Sequence, residues 1–201
     1  MKHLVVSRRQ VLKGAGAVGV LGALGIPTTV FAGEEEVELL RWDLVEFPQG
    51  VALPGHNFAR DAVTGDVVTL TGTGEVEPKK GTATGGGTFV HKHSGGGAVA
   101  DGVYVVTGFR SFTPAGGTLA GAGLVDGIGT LAQTMGGLLA LDVALMPSGG
   151  GSLAGVLEVD CDLSGEFPID EGVNLSVGAF NFVKAGGFTL VHVLRGVNQP
   201  N

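Results

Sequence analysis

Residues 136–163 read GGLLALDVALMPSGGGSLAGVLEVDCDL, which is two alternating runs on either side of a glycine-rich turn. In the second run the odd positions 157–163 are apolar, and acidic residues occupy the even positions between them. A period of two places each set on its own face of a β-strand. Pro147 to Gly151 supplies typical turn residues. This stretch therefore predicts an antiparallel hairpin with one apolar face.

The same alternation continues in both directions, and no amphipathic helix is predicted after residue 36. Eight main strands are predicted, at 37–47, 65–77, 84–93, 98–113, 136–146, 153–163, 172–183 and 187–195. Ser94–Gly97 and Gly186-Gly187 read as further hairpin turns. We therefore expect an all-β fold, a single antiparallel eight-stranded β-barrel, with a β-sandwich as the alternative.

The segment 114–136 interrupts this regularity, because glycine and small apolar residues dominate it and alternation is weak. A short helix around 126–135, a loop and an extra strand are all compatible with its composition. We expect the segment to form a mobile flap over one end of the barrel.

The N-terminal residues 1–32 have the composition of an export signal. The run Ser7-Arg8-Arg9-Gln10-Val11-Leu12-Lys13 precedes an apolar, glycine-dotted stretch that ends at Ala32. A charged region, a short apolar region and a small residue at the cleavage position define a secretory signal. The run resembles the twin-arginine (Tat) signal, Ser-Arg-Arg-x-Phe-Leu-Lys, with Val11 in place of phenylalanine. That resemblance implies the Tat translocase as a partner during export, and a periplasmic, extracellular or cell-surface destination.

Cleavage after Ala32 would divide the chain into a signal peptide, 1–32, and one secreted domain, 33–201. The apolar stretch is short and glycine-rich compared with the roughly 20 apolar residues that span a bilayer. We therefore expect no stable membrane insertion after cleavage. An uncleaved signal that acts as an N-terminal anchor is the alternative.

The balance of charge argues against two classes of partner. All 19 acidic residues but only eight of the 12 basic residues lie after position 32. An acidic domain does not attract nucleic acid or an anionic membrane surface, since both require a basic face. Cys161 is the only cysteine, which excludes an intramolecular disulfide, and it shares a strand face with Leu157 and Val159. A buried core position is expected for it.

Two stretches contain residue types that bind metals. His91 and His93 lie at i and i+2 on a predicted strand, so both imidazoles share one face and could begin a transition-metal site. The spacing Gly85-x5-His91-x-His93 resembles the opening of the cupin metal motif, although Gly97 and Ala98 stand where that motif has glutamate. A solvated hairpin tip is the simpler interpretation.

The second stretch matches the spacing of a calcium loop, with Asp160, Asp162, Ser164 and Glu171 at the ligand positions. The flanking alternation and Pro168 instead favour a hairpin loop with solvated carboxylates. No cofactor is expected, and Ca²⁺ or a transition metal is the alternative.

Three residues are candidates for catalysis. His192 lies between Val191 and Val193 on an apolar face, as either a core histidine or a pocket acid/base. Arg110 is framed by aromatic residues, and either pairs with a surface carboxylate or binds an anion. Asp142 is a surface charge if its face points outward, and a functional candidate if it points inward.

In strand number, glycine-rich hairpins and size, the chain resembles the allene oxide cyclase and dirigent barrels; this resemblance implies architecture only. We expect an exported, non-enzymatic barrel that binds a small apolar ligand or has a structural or assembly role, with a homo-oligomer as one form of assembly. The alternative is a small isomerase or cyclase acting on an apolar substrate. It would use His192 with a carboxylate as base and acid, and Arg110 as an anion clamp.

Overall fold

The computed structural model describes residues 37–163 and 171–196. In these ranges the chain forms thirteen strands: β1 Val37–Glu46, β2 Val51–Pro54, β3 Asn57–Asp61, β4 Val67–Leu70, β5 Thr73–Glu77, β6 Thr82–Lys92, β7 Ala98–Gly116, β8 Val125–Asp126, β9 Gly136–Pro147, β10 Leu153–Cys161, β11 Gly172–Val177, β12 Phe180–Gly186 and β13 Phe188–Gly196. Three short 3-10 helices lie at Pro48–Gly50, Pro78–Lys80 and Leu131–Gln133. Within the same ranges, none of the helices has the length and the apolar character that a transmembrane span requires.

Eight of the strands close into an antiparallel barrel, in the order β4–β3–β12–β11–β10–β9–β7–β6. Pairing between β4 and β6, with Val68 opposite His91, completes the ring. Closure satisfies the backbone groups that an open sheet would leave at its two edges. The prediction of an all-β, eight-stranded barrel is confirmed, and the sandwich alternative is not formed.

The strands of the ring differ from those that the alternation predicted. The predicted strand 65–77 is two strands, β4 and β5. Strand β4 belongs to the ring, whereas β5 lies outside it and pairs with β1. The predicted strand 172–183 is the hairpin β11–β12, whose two-residue turn Gly178-Ala179 places Gly178 at φ 58°. A positive φ suits glycine in such a turn. The two terminal predicted strands, β1 and β13, lie outside the ring and pair with each other.

Strand β3 belongs to the ring but was not predicted, because its hydropathy pattern is inverted. Asn57, Ala59 and Asp61 are buried, whereas Phe58 and Arg60 point outward. The buried polar groups are satisfied in part: Asn57 Nδ2 donates to Phe188 O at 2.8 Å, whereas Asn57 Oδ1 has no hydrogen-bond partner among the described residues. Asp61 Oδ1 accepts from Thr64 N at 2.8 Å.

The two ends of the barrel are different. The hairpin turns β3–β4, β6–β7, β9–β10 and β11–β12 all lie at one end, which we call the mouth. The β1–β13 pair crosses the opposite end, which we call the closed end. There Thr189 Oγ1 donates to Asp160 O at 2.8 Å, and Leu40, Trp42 and Leu44 are buried. Cys161 is also buried at this end, with its thiol 3.5 Å from Thr189 O.

The segment 117–135 covers the outer face of the β1–β13 pair. It contains β8, which pairs in parallel with β2, and one 3-10 turn at Leu131–Gln133. Met135 N donates to Val191 O at 2.9 Å, and Thr134 forms a bridge with His192. The segment therefore lies over the closed end as an irregular covering with one very short strand; its mobility stays a prediction.

Candidate functional site

A cavity of about 220 Å³ opens at the mouth of the barrel. Its lining is apolar apart from one histidine, and includes Phe89, Leu145, Leu175, Phe180 and Phe182. An apolar cavity of about 150 Å³ is large enough to take up benzene. The mouth cavity therefore has room for one ring with small substituents.

His91 is the one titratable residue among those that line the cavity. Only 8% of the residue is exposed. Its ring packs edge-to-face on two aromatic side chains, with centroids 5.1 Å from Phe180 and 5.1 Å from Phe182. Its Nε2 lies 3.1 Å from Asp66 Oδ2. The ring is therefore fixed on both sides.

Asp66 follows the β3–β4 turn and gathers three polar groups. Its Oδ2 is also 3.2 Å from Nδ1 of the exposed His93, and its Oδ1 accepts from Ser94 N at 3.3 Å. Burial alone would raise the pKa of Asp66, but the hydrogen bonds from His91, Ser94 and His93 outweigh it. The net effect lowers the pKa of Asp66, so its carboxyl group is an anion at neutral pH.

The structure brings His91 and His93 together, as their spacing predicts, but around a carboxylate that the sequence did not single out. Asp66 lies 25 residues from His91, and only the pairing of β4 with β6 makes them neighbours. Among the described residues, no group of three or more His, Cys, Asp or Glu side chains has an arrangement that could hold a metal ion.

Two carboxylates of the predicted calcium loop, those of Asp160 and Glu171, contact protein groups. Asp160 forms an ion pair with Lys184. Glu171 accepts from Asp162 N and from Thr189 Oγ1, each at 2.8 Å. Burial outweighs these hydrogen bonds and raises the pKa of Glu171 to about 7. Ser164 lies outside the described residues, and calcium binding stays a prediction.

His192 lies at the closed end of the barrel, which is opposite the mouth cavity. Its Nε2 is 2.9 Å from Asp126 Oδ2, and its Nδ1 is 3.7 Å from Asp43 Oδ2, beyond hydrogen-bond distance. Burial lowers the pKa of His192, but the two carboxylates outweigh it and raise the pKa above its usual value. The ring is 1% exposed, so it has no open path to a ligand.

The carboxylates on either side of His192 are held by further donors. Asp43 Oδ1 accepts from Arg41 Nη2 at 2.9 Å and from Thr73 Oγ1 at 2.7 Å. Asp126 Oδ1 accepts from the backbone of the 117–135 segment, including Gly129 N at 2.8 Å. This cluster of Arg41, Asp43, Asp126 and His192 fastens the segment to the β1–β13 pair.

Arg110 and Asp142 pair with each other on the outer wall of the barrel. Arg110 Nε donates to Asp142 Oδ1 at 2.7 Å, and the two side chains are 51% and 43% exposed. The structure therefore brings these two candidates together, but not with His192, which is buried under the 117–135 segment. The three residues form no common acid–base site.

The comparisons with known proteins concern the N-terminal segment. Residues 5–25 match the model of the TAT (twin-arginine translocation) pathway signal sequence. The chain carries a Tat signal. The Tat translocase is therefore its partner during export, and the barrel is carried across the membrane to the periplasm or beyond. No curated protein and no solved structure matches the chain.

Proposed function

We propose that this exported barrel binds one small apolar molecule in its mouth cavity and catalyses no reaction on it. The observation that carries the proposal is the apolar cavity of about 220 Å³ at one end of a barrel whose other end is closed by β1 and β13. Concave, largely apolar sites with few polar groups are the usual binding sites for small molecules.

The lining also favours binding over catalysis. Acid–base catalysis needs correctly placed proton donors and acceptors around the substrate. Among the residues that line the cavity, His91 is the only titratable one, and its Nε2 already bonds to Asp66. A single imidazole suits the orientation of a ligand better than a two-group isomerase mechanism.

The size of the cavity sets the expected affinity. A ring the size of an aromatic side chain buries roughly 150–250 Å². At about 25 cal/mol per Å², this contributes at most about 4–6 kcal/mol before the cost of the ligand's lost translational and rotational freedom, so the Kd should be no lower than roughly 0.05 mM. We therefore expect weak, saturable binding of one-ring compounds.

The test is ligand-observed NMR titration of 1,4-dimethylbenzene into the purified exported protein. Ala100→Trp should fill the cavity, because Ala100 is part of its lining, and should weaken binding at least about tenfold. Ala154→Trp is the matched control, because Ala154 is exposed on the alternating outer face of β10. If the protein does not bind the compound, or if both variants bind it equally, the proposal is wrong.

A role in assembly is the second candidate, and a patch on the outer wall of the barrel favours it. Val90, Val103, Val105 and Met146 are between 36% and 47% exposed, and Val103 lies opposite Met146 in the β7–β9 pairing. An apolar patch on a barrel wall can bury itself against a second copy of the chain. Native mass spectrometry of the wild type and of Val103→Lys tests this role, since a homo-oligomer held by the patch would dissociate in the variant.

A further inference from the structure

The strand pairing at the mouth places a carboxylate behind the histidine of the cavity. Val68 lies opposite His91 across the β4–β6 pair, and Asp66 precedes Val68 by two residues, on the same face. Asp66 therefore lies diagonally across from His91, within the reach of their side chains. The 3.1 Å contact between His91 Nε2 and Asp66 Oδ2 results from this register.

This contact determines which nitrogen of His91 carries the proton. An ionised carboxylate only accepts hydrogen bonds, and Asp66 is ionised because its pKa is lowered. Nε2 of His91 must therefore carry the hydrogen that is donated to Asp66. In the neutral ring, Nδ1 is then the acceptor.

Nδ1 of His91 is the ring nitrogen that the contact with Asp66 leaves unpaired. No described residue forms a hydrogen bond with this atom, and the atom itself is not fully buried. The nitrogen is thus accessible although His91 itself is buried and lines the cavity. An accessible acceptor at the edge of an apolar cavity is unsatisfied until water or a ligand donates to it.

We propose that Nδ1 of His91 accepts a hydrogen bond from the hydroxyl group of the bound ligand, which is a small apolar alcohol or phenol. This inference rests on the proposed binding function and specifies its ligand class. No cationic side chain is part of the cavity lining, so an anionic ligand would be buried without a counter-charge. A hydrocarbon fills the space but leaves Nδ1 unpaired. Benzene, with six non-hydrogen atoms, binds in a cavity of about 150 Å³. In the same proportion, a cavity of about 220 Å³ takes a ligand of about nine non-hydrogen atoms.

The closing experiment compares two ligands of one shape. 4-Methylphenol and 1,4-dimethylbenzene differ only in a hydroxyl group against a methyl group, and each is titrated into the wild type and into His91→Phe. His91→Phe keeps a flat ring beside Phe180 and Phe182 and removes the acceptor, while Asp66 keeps its contacts with His93 and Ser94. We expect the affinity of 4-methylphenol relative to that of 1,4-dimethylbenzene to fall about fivefold in His91→Phe, since that is the factor to which the net contribution of a hydrogen bond corresponds.

His93→Gln is the matched control, because His93 contacts the same carboxylate but is 64% exposed and does not line the cavity. Its ligand preference should equal that of the wild type. If neither ligand binds to the wild type, the proposed function itself fails. If both ligands bind and their affinity ratio is the same in the wild type and in His91→Phe, only the assignment of His91 is overturned.

A spectroscopic measurement on the wild type tests the same assignment without relying on the folding of His91→Phe. Long-range ¹H–¹⁵N correlation spectra should show His91 protonated at Nε2 and not at Nδ1, with 4-methylphenol shifting the Nδ1 resonance and 1,4-dimethylbenzene leaving it in place. A proton on Nδ1 in the free protein would overturn the proposal.

Discussion

Asp126→Asn tests the buried charges at the closed end of the barrel. The carboxylate of Asp126 and the ring of His192 are 4% and 1% exposed, and they meet at 2.9 Å. An asparagine can still accept from Ile128 N and Gly129 N through its one oxygen, but it presents an amide to His192. The variant therefore exchanges a charge-assisted hydrogen bond for a neutral one and keeps the shape of the side chain.

The expected loss follows from this exchange. Hydrogen bonds to charged groups contribute about 1.5–3 kcal/mol and neutral ones about 0.5–1.5 kcal/mol, so Asp126→Asn should lose about 1–2 kcal/mol of unfolding free energy. Asp126→Ala removes the partner altogether and should lose about 3–5 kcal/mol, because it leaves a buried ring facing Asp43 alone. The order of the two variants is therefore part of the prediction.

The loss should also depend on pH. The pKa of His192 is raised in the folded protein, so the stabilisation it provides is present in full below about pH 6.5 and is lost as the pH rises through the folded value. Since Asp126 causes part of the raised pKa, the difference between wild type and Asp126→Asn should be larger at pH 6 than at pH 9. Protonation of Asp126 removes the difference again in strong acid, because its pKa is lowered.

Urea unfolding monitored by Trp42 fluorescence measures this difference. Trp42 is the only tryptophan and is 0% exposed on β1, next to Asp43. With a slope of about 2 kcal/mol/M, a loss of 1–2 kcal/mol moves the midpoint by about 0.5–1 M urea. Asp142→Asn is the matched control, because its exposed pair with Arg110 should contribute less than about 1 kcal/mol. Equal midpoints for Asp126→Asn and the wild type at pH 6 would refute the reasoning.

Three further predictions concern other parts of the chain. Replacing both Arg8 and Arg9 with lysine should leave the precursor in the cytoplasm, which cell fractionation detects; export at the wild-type level would contradict the role of the pair. The pKa of Glu171 is raised from an ordinary 4.5 to about 7, so the folded state binds this proton more tightly than the unfolded state does. The free energy of unfolding therefore falls as the pH rises from 4.5 to 7. Glu171→Gln should flatten this part of a plot of unfolding midpoint against pH. Gly129→Ala places a Cβ 2.8 Å from His192 Nε2 and should cost about 1–3 kcal/mol in urea unfolding, whereas Gly149→Ala, with nothing within 4 Å, should cost nothing; equal midpoints would contradict the contact.

The sequence predicted the strands whose two faces meet different surroundings. Along β9 and β10 one face points into the barrel and the other into solvent, so hydropathy alternates and both strands were predicted. Alternation cannot distinguish a strand of the eight-stranded ring from β1 or β13, which lie outside the ring. On β13 both Leu190 and Val191 are buried, because one face contacts the barrel and the other the 117–135 segment. Strand β3 escaped prediction because its buried residues are polar or small.

The candidate site was less accessible to sequence reasoning than the fold. His91 and His93 stood out because they are close in the chain, whereas Asp66 lies in an ordinary turn and becomes their partner only through the closure of the ring. No sequence motif marks the cavity. It forms where the inward-pointing side chains of several strands leave a gap between them. His192 and Asp126 are 66 residues apart, and no spacing in the sequence relates them.

The pairing of β1 with β13 connects the fold to the route of export. β1 begins at Val37, close behind the Tat signal at 5–25, yet its partner β13 is the last strand of the described chain. The Arg41–Asp43–Asp126–His192 cluster therefore joins residues from both ends of the sequence and from its middle. His192, the last member of the cluster, reaches Asp126 only after nearly the whole chain has been synthesised, and such long-range pairing is slow compared with local structure. A route that carries folded passengers allows the closed end to form before the barrel crosses the membrane, which gives a physical reason for this chain to carry a Tat signal.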